Sequence, residues 1–410
     1  MTTPSQPAST GAAPHDPASD NNGAPTVVVW RSGLLAGSET FIRNQGTALP
    51  RWQPRFLGAT KVGSPLAADT DVIAYPDGRR DRSAFLRLRL TGESPRLRLL
   101  LAGLRPAVVH AHFGNDGWLI SRTAAQLGIP LVVTVHGYDV TRQPHAPGLR
   151  GVRYRRNLRQ VFDRAALILA VSGFIRDKAI EAGAHPAKIR VHHTGVPIPE
   201  VVPDVQKRWD VAFVGRFVEK KGVDDLVEAL GTLRDRRPRV LLVGSGPLEW
   251  PIRERATALG LDATFLGALE PAAVARHLAE SKIFVSPSKT ASDGDAEGLP
   301  TTILEAASLG LPTVSTYHSG IPEAVLPGET GLLGAEGDRA ALAGNIRQLL
   351  ADDELRTRLG GQARRYVVEH FDLHKQTRLL EKLYESVAAG RPVAPLPAGL
   401  ELPVGHPAEH

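Results

Sequence analysis

Short apolar runs alternate along the chain with longer segments that have helical periodicity. The nine runs that are candidate strands occupy residues 26–30, 107–113, 131–137, 166–172, 210–216, 239–246, 263–269, 283–288 and 313–320. Their apolar residues are consecutive instead of falling at every second position, which is typical of strands buried on both faces. Such strands alternating with helices predict parallel sheets covered by helices, and therefore an α/β protein.

The same alternation occurs in both halves of the chain. The halves meet in the proline-rich segment VPIPEVVPDVQKR, residues 196–208, which has the composition of an interdomain linker. A chain of 410 residues is also too long for one ordinary core. We therefore predict two doubly wound, Rossmann-like domains, residues 25–200 and 201–375, that face each other across a cleft. Ligands of such sheets bind beyond the carboxyl ends of the strands, so the residues that follow each strand are the candidate site residues.

The two ends of the chain differ from the rest in composition. Residues 1–24 contain no Val, Ile, Leu or Phe, and residues 391–410 contain five prolines. Such segments cannot bury enough apolar surface to fold, and we predict that both are disordered tails. The chain has no cysteine, which excludes disulfides, thiolate metal sites and cysteine nucleophiles. No apolar run approaches the ~20 residues of a membrane helix and no signal sequence is visible, so we expect a cytoplasmic protein.

Much of the net charge of +6 is concentrated in one stretch. Between Arg79 and Arg105 there are eight arginines against two acidic residues, with leucines between them, as in FLRLRL and RLRLLLAGL. A basic amphipathic surface of this kind could contact anionic lipid or a polyphosphate-bearing acceptor, so peripheral membrane contact is one interpretation. The other is a pair of helices whose arginines face water and whose leucines face the core. Nucleic acid is not an expected partner, because neither a nucleic-acid motif nor interleaved aromatic residues accompany the charge.

Two cations follow a strand in the second half. The motif GRFVEKKG, residues 215–222, precedes the helical pattern DDLVEAL. Arg216 with its planar fork and Lys221 as a point charge could hold a diphosphate there. They could also be ordinary surface cations. VGSGPL, residues 243–248, adds a glycine-rich turn after the next strand, a feature common to many α/β proteins.

The segment ASDGDAEGLPTTILE, residues 291–305, contains four carboxylates. Pro300 suits the first position of a helix closed by Gly310, which places Glu305 near the second turn and Glu297 in the preceding loop. The amides at the start of this helix are those of Gly298, Leu299 and Thr301. A helix N-terminus favours an anion, here between two glutamates that are free to accept from hydroxyls. That combination is the chemistry of a sugar nucleotide.

Asp293 and Asp295 lie just before Glu297. They form an acid-any-acid triplet that could hold a metal. They could instead shape the loop or contact an acceptor. A metal is not expected, because Arg216 and Lys221 would already neutralise a diphosphate.

Histidines follow two strands of the first half. HAHFG (110–114) and TVHGYD (134–139) place His112 and His136 at strand exits, and SGLLAGSETFI (32–42) follows the first strand. For His136 we favour a substrate role, because Gly137 opens the backbone behind it. For His110 we favour a structural role, while His112 stays open between ligand and structure.

Taken in order, these motifs resemble the retaining glycosyltransferases of family 4, which have the two-domain GT-B fold. The matching pieces include VHG, LILAVSGFIRD, IRVHHTGV, GRFVEKKG, LLVGSGPL, FLGAL, EGLPTTILEAASLGLPTV and SGIPEAVLPGETGLL. They extend from about Thr26 to about Leu383, nearly all of the chain between the tails. The GSETFI loop, HAHFG, HGYD and the TASDGDAEGLP insertion look most similar to exopolysaccharide glycosyltransferases of the colanic-acid type.

The resemblance implies roles for individual residues. The implied donor-binding residues are Gly37, Ser38, Arg216, Lys221, Leu266, Gly267, Glu297, Gly298, Leu299 and Glu305, and the implied catalytic residues are His136, Glu297, Arg216 and Lys221. Glu297 would face the transferred sugar, Glu305 the ribose hydroxyls, and Leu266 with Gly267 the base. One position departs from the family pattern: the common Gly-Gly of the first loop is Ala36-Gly37 here.

The implied reaction moves a hexose from a nucleotide-diphosphate sugar, with UDP-hexose preferred, to a hydroxyl of a glycan or lipid-linked acceptor, without cofactor or metal. The setting would be exopolysaccharide or other surface-glycan biosynthesis, in the cytoplasm and in contact with the membrane. A C-terminal helix, residues 376–390, would pack back on the first domain. The alternatives are a sugar-nucleotide epimerase or a phosphorylase of similar fold, glycosylation of a small natural product, and a binding scaffold without catalysis.

Overall fold

The computed structural model describes residues 23–76 and 78–393 of the chain. The predicted disordered tails, 1–24 and 391–410, lie almost entirely outside the described residues. Two parallel sheets with helices on their faces make up the rest, which confirms the predicted two-domain α/β architecture.

The first domain is a seven-stranded parallel sheet of order β3-β2-β1-β4-β5-β6-β7. Its strands are β1 Thr26–Leu34, β2 Gln53–Lys61, β3 Val72–Ile73, β4 Val108–His112, β5 Leu131–Val135, β6 Leu167–Ala170 and β7 Ile189–Val191. Its helices are α1 Thr40–Thr47, α2 Arg79–Thr91, α3 Pro95–Leu104, α4 Gly114–Gln126, α5 Gly148–Arg164 and α6 Gly173–Glu181. The strand order reverses between β1 and β4, so the crevice of this sheet opens there.

The second domain is a six-stranded parallel sheet of order β10-β9-β8-β11-β12-β13. Its strands are β8 Trp209–Val214, β9 Val240–Val243, β10 Ala263–Gly267, β11 Ser281–Ser286, β12 Thr313–Thr316 and β13 Gly331–Gly334. Its helices are α7 Val223–Gly231, α8 Glu249–Ala258, α9 Pro271–Ala279, α10 Thr301–Ser308, α11 Ile321–Ala324, α12 Arg339–Ala351 and α13 Asp353–His370. Here the order reverses between β8 and β11, beside the segments that carry Lys221 and Glu297.

All nine predicted strands are present, and four more were not predicted. The additional strands are β2, β3, β7 and β13. β3, β7 and β13 have only two to four residues and lie at the edges of the sheets. β2, QPRFLGATK, mixes charged and apolar residues because its ends are only partly buried.

The last helix, α14 Leu373–Ala388, returns to the first domain after the chain has completed the second. Its apolar residues Leu380, Leu383 and Tyr384 share a core cluster with Val27 of β1 and Val108 of β4. The buried carboxylate of Glu381 also accepts from two backbone amides, those of Arg51 and Trp52, at 2.7 and 2.9 Å. α14 therefore covers one face of the first sheet.

The arginine-rich stretch forms the two helices α2 and α3. Leu88 of α2 and Leu97 of α3 are buried as expected, but Leu86, Leu90 and Leu99 are exposed. The expectation that the leucines face the core was therefore wrong for these three, because α2 and α3 each bury only a narrow stripe. Within the described residues no helix is long and apolar enough to span a membrane.

Candidate functional site

Two glycine-containing turns, one from each domain, touch at the cleft. A Cβ atom added to Gly298 would lie 1.8 Å from the carbonyl oxygen of His136, and one added to Gly137 would lie 3.0 Å from the carbonyl oxygen of Ala296. The hydroxyl of Ser172 also donates to the Gly298 carbonyl oxygen at 3.2 Å. The turn after β5 is thus in van der Waals contact with the loop before α10, so His136 and Glu297 belong to one site.

Asp139 holds the His136 turn in place. One carboxylate oxygen accepts from the amides of His136 and Gly137 at 3.0 and 2.9 Å, and the other accepts from the Gly114 amide at 3.0 Å. Burial raises the pKa of Asp139, while these backbone hydrogen bonds lower it. Sequence reasoning missed this residue, although its spacing of three after His136 is typical of a side chain that caps its own turn.

The His136 ring lies among aromatic side chains. Its centroid is 4.5 Å from that of Phe113 and 5.0 Å from that of Phe41. Its Nε2 lies 3.1 Å from Nδ1 of His112. Burial, and secondarily Arg31 and His110, lower the pKa of His136 to about 3. At neutral pH the ring is therefore an uncharged hydrogen-bonding group.

The histidines of the HAHFG motif, His110 and His112, lie deeper than His136. His110 contacts Thr134 and Tyr384 through its two ring nitrogens, both at 2.6 Å, and so has the structural role expected of it. His112 is 2% exposed and stacks between His110 and His136. His112 is therefore too buried to contact a ligand directly, but its ring contacts His136 of the site.

Glu297 is paired with lysine cations. Its carboxylate is 2.8 Å from Nζ of Lys221 and 4.0 Å from Nζ of Lys220. Burial alone would raise the pKa of Glu297, but the charges of Lys221 and Lys220 hold it at about 2. Lys220, which sequence reasoning missed, also binds Asp295 at 3.0 Å.

The Glu297 backbone is fixed by the loop after β12. Nε2 of His318 accepts from the Glu297 amide at 3.1 Å, which places the His318 proton on Nδ1, where Glu336 accepts it at 2.6 Å. Ser319 has a φ of 54° and its hydroxyl donates to the Glu297 carbonyl oxygen. A non-glycine residue in this conformation costs of order 1–3 kcal/mol, which the surrounding hydrogen bonds must offset.

Glu305 lies near the start of α10 and is partly exposed. Burial raises its pKa to about 7, against an opposite effect of Lys221. Among the described residues, none donates a hydrogen bond to this carboxylate. Pro300 is the residue before the first helical position, not the first position as predicted, because α10 begins at Thr301. Across residues 23–76 and 78–393, the amides of Gly298, Leu299 and Thr301 have no acceptor and are available to an anion.

The remaining donor-side residues line the ends of β8, β9 and β10. Arg216 is exposed, and no carboxylate of the described chain pairs with it. The stem of Lys221 lies against Gly215, where an added Cβ would be 3.4 Å from its Cδ. Leu266 and Gly267 end β10, and the Gly267 carbonyl oxygen accepts from the amide of Gly244 at 2.7 Å. These strand ends form one continuous wall beside Lys221.

Gly37 and Ser38 lie in the exposed loop after β1. A Cβ added to Gly37 would meet only a Pro65 atom at 4.0 Å, so nothing crowds this position. The neighbouring Glu39 and Asp116 both pair with Arg31, a buried network that sequence reasoning missed. This network holds the base of the loop, while Gly37 and Ser38 at its tip stay exposed.

Asp293 and Asp295 are both paired with cations. Asp293 lies 2.9 Å from Arg142 of the first domain, and Asp295 binds Lys220. Both contacts shape the loop, and the first also joins the domains.

Two known protein families match the two halves of the chain. The family description "Glycosyltransferase Family 4" matches residues 35–199, and "Glycosyl transferases group 1" matches residues 198–366. A protein named as a colanic acid biosynthesis glycosyltransferase, WcaL of Salmonella typhimurium, is 29% identical over 68% of this chain and 70% of its own length. The amylovoran biosynthesis glycosyltransferase AmsK of Erwinia amylovora is 30% identical over 68% of this chain and 69% of its own.

Two further similarities concern the nucleotide. A relative from Corynebacterium glutamicum, 30% identical over 61% of this chain and 68% of its own length, is named a GDP-mannose-dependent phosphatidylinositol monomannoside mannosyltransferase. The solved structure of Anabaena HepE in complex with UDP and glucose covers 88% of this chain and 100% of its own, with a TM-score of 0.71 and 18% identity. The last similarity bears on the fold alone. From the two family matches and the identity to AmsK, this chain belongs to the family 4 glycosyltransferases and is an enzyme of that class with the GT-B fold.

Proposed function

We propose that the protein transfers a hexose from a nucleotide-diphosphate sugar to an acceptor hydroxyl with retention at the anomeric carbon. The observation that carries the proposal is the state of Glu305. Its partly exposed carboxylate has no hydrogen-bond donor among the described residues, and the free amides at the start of α10 and the cation of Lys221 lie nearby. A carboxylate that is largely removed from water without a hydrogen-bond partner is costly, and a ligand that brings hydroxyl donors and an anion supplies what is missing.

Each part of a sugar nucleotide has a counterpart in the site. The diphosphate fits Arg216, Lys221 and the start of α10, and the ribose hydroxyls fit Glu305. The base fits the wall at Leu266 and Gly267, close to the end of β10. The transferred sugar then lies between Glu297 and His136, whose turns are in contact. Gly37 and Ser38, in the open loop, approach the diphosphate from the first domain.

The charges of the site favour substitution on one face of the sugar. Glu297 is held near pKa 2 by Lys221 and Lys220, so its carboxylate is a poor base and a weak nucleophile. We therefore propose that the bond from the anomeric carbon to the phosphate oxygen breaks while the acceptor oxygen bonds on the same face. The acceptor proton passes to the leaving phosphate oxygen. Arg216, Lys221 and the helix end stabilise the charge on the leaving group, without a metal ion.

The donor base and the acceptor follow from the relatives. UDP-hexose is our first choice from the family resemblance, with GDP-mannose second because the relative from Corynebacterium is named for that donor. The acceptor is a glycan or a lipid-linked glycan, since WcaL and AmsK are named for two exopolysaccharides. An epimerase is less favoured; it would alter the donor in the absence of any acceptor.

A transfer assay with Lys221→Ala tests the proposal. Donors with uracil and guanine bases are first compared by thermal shift, since a ligand of the native state raises the melting temperature. With the best donor, Lys221→Ala is expected to lower turnover by about 10²–10³, the usual cost of losing one stabiliser of developing charge. Lys178→Ala, which removes a partly exposed lysine that pairs with Glu181 of the same helix, is the matched control. Turnover of Lys221→Ala equal to that of the control contradicts the proposal.

A further inference from the structure

Two neighbouring helices of the first domain expose apolar side chains among arginines. The exposed apolar residues are Leu86 (54%) and Leu90 (57%) of α2, and Leu149 (87%) and Val152 (54%) of α5. The guanidinium of Arg153 donates to the carbonyl oxygen of Arg89 at 2.5 Å, which joins the two helices. Leu90 and Val152 are next in sequence to the two residues of this contact, and Leu86 and Leu149 lie three and four positions before them. We take the four residues together as one patch and call it the α2–α5 face.

The α2–α5 face is basic as well as apolar. Its segments 82–90 and 148–159 contain eight arginines and no acidic residue. An anionic lipid surface matches both properties, because it takes up apolar side chains at the acyl boundary and attracts arginine at the headgroups. An acidic protein or a nucleic acid would match the charge but would leave the leucines and the valine in water.

The face is connected to the acceptor side of the cleft. The hydroxyl of Tyr154 on α5 donates to the carbonyl oxygen of Asp139 at 2.8 Å, and the Asp139 carboxylate holds the His136 turn. Arg142, just before α5, pairs with Asp293 across the cleft. A surface bound by α5 would therefore lie next to the entrance for an acceptor.

We propose that the α2–α5 face docks on an anionic lipid bilayer and presents the cleft to a lipid-linked acceptor. The identity of the acceptor rests on the proposed transfer reaction, whereas docking itself does not. The proposed contact includes α5 as well as the arginine-rich stretch, since the most exposed residue of the patch, Leu149, belongs to α5.

Flotation with lipid vesicles tests the docking. The full chain is expected to bind vesicles of phosphatidylcholine and phosphatidylglycerol but not vesicles of phosphatidylcholine alone. The double variant Leu86→Gln, Leu149→Gln should lose binding, and each of Arg82→Gln and Arg87→Gln should weaken it about fivefold. Trp250→Gln, which alters a 69% exposed residue of the second domain, is the control and should bind as the wild type does.

Donor affinity, measured by calorimetry without vesicles, should be equal in all of these variants. A failure of docking can thus be told from a failure of the proposed reaction. Equal binding to both kinds of vesicle, binding unaffected by the leucine and arginine variants, or a change of oligomeric state in those variants without any vesicle binding would overturn the proposal.

A second inference concerns His112 and is independent of the first. Nδ1 of His112 and Nε2 of His136 are 3.1 Å apart, and only one of them can carry the proton between them. His112 is buried, His136 is partly exposed, and the pKa values of both are lowered, so neither ring is an imidazolium at neutral pH. The His136 ring is also held by packing against Phe41 and Phe113. Packing therefore helps to fix the orientation of the His136 ring. The hydrogen bond with His112 decides which of the two His136 ring nitrogens carries the proton.

We infer that His112 is a positioning residue that selects the tautomer of His136. If His112 donates, Nδ1 of His136 carries the remaining proton and donates to a ligand; if His112 accepts, that nitrogen is an acceptor. One tautomer in the native protein gives the sugar one defined hydrogen bond.

Nitrogen-15 NMR of histidine-labelled protein measures the tautomer directly. The wild type should show one neutral tautomer of His136 across neutral pH, assigned by its loss in His136→Asn. His112→Leu, of similar volume but without a hydrogen-bonding atom, should show both tautomers and a kcat lowered about three- to tenfold at unchanged donor affinity. His112→Asn should restore most of kcat. A mixture of tautomers in the wild type, or a single unchanged tautomer in His112→Leu, would overturn the inference.

Discussion

Donor binding should depend on pH through Glu305. In the empty protein burial raises the pKa of this carboxyl to about 7, so it is half protonated near neutrality. A hydroxyl that donates to an ionised carboxylate contributes about 1.5–3 kcal/mol. Two ribose hydroxyls would therefore lower the pKa of Glu305 in the complex by more than one unit, since one unit corresponds to about 1.4 kcal/mol. Donor binding is then linked to loss of the proton.

The size of the effect follows from the ionised fraction. With a pKa of about 7, this fraction falls from about nine-tenths at about pH 8 to about one-tenth at about pH 6. The dissociation constant of the donor should rise about tenfold over this interval. Calorimetry with an intact sugar nucleotide measures it, because a diphosphate diester does not titrate in this range. Glu305→Gln should bind more weakly at the higher pH and show no such slope.

The pH dependence of the stability of the ligand-free protein tests the pKa of Glu305 independently, because the direction of the change can be derived. The folded pKa of Glu305 lies above its ordinary value of 4.5, so the folded state binds the proton more tightly than the unfolded state. Its contribution to stability is therefore lost as pH rises through the interval from about 4.5 to about 7. Relative to Glu305→Gln, the wild type should lose thermal stability across that window. Equal donor affinity at the two pH values, or an equal slope in the variant, would refute the reasoning.

Two further predictions concern the metal and the domain boundary. Transfer should survive EDTA, because the cations and amides at the diphosphate position leave no charge for a metal to neutralise; a strict requirement for added manganese in the same assay would contradict this. Glu323→Gln should lower the free energy of unfolding by about 2–4 kcal/mol in urea titrations. The Glu323 carboxylate accepts from the Gly173 amide at 2.8 Å and lies 2.9 Å from Nε2 of His193, joining the two domains in buried surroundings. The exposed Glu329→Gln is its control, and equal losses in the two variants would mean that the contact does not hold the domains together.

Most of the fold could be predicted from the sequence because strands buried on both faces have consecutive apolar residues. Runs such as TVVVW and RVLLVG each contain four consecutive apolar residues, so the number and order of these strands could be predicted. β2 and β13 could not be predicted in this way. β2 mixes charged with apolar residues, and β13 has only four residues. The leucines of α2 showed the limit of composition, because a repeat of arginine and leucine does not say how wide a stripe the helix buries.

The candidate site was readable only where its residues follow strands. Lys221 and His136 were found in this way, Glu297 was found from the helix that follows it, and the contact between the two turns brings them together. The partners that hold them were missed. Asp139 acts through backbone amides, and His318 reaches Glu297 across 21 positions of sequence. Such pairings depend on tertiary distance, which one sequence without its relatives does not contain.

The return of α14 to the first sheet has a consequence for how the chain is made. One face of that sheet, including Val27 and Val108, is completed by residues near position 384. A ribosome that has synthesised the whole first half has therefore produced a sheet with an uncovered apolar side, which stays uncovered while the second half is translated. The amino-terminal domain cannot finish folding until α14 has left the ribosome, so its apolar face is exposed to aggregation and to chaperones while the second half is made. Any expression of the first half alone would prolong that state indefinitely unless α14 were attached to it.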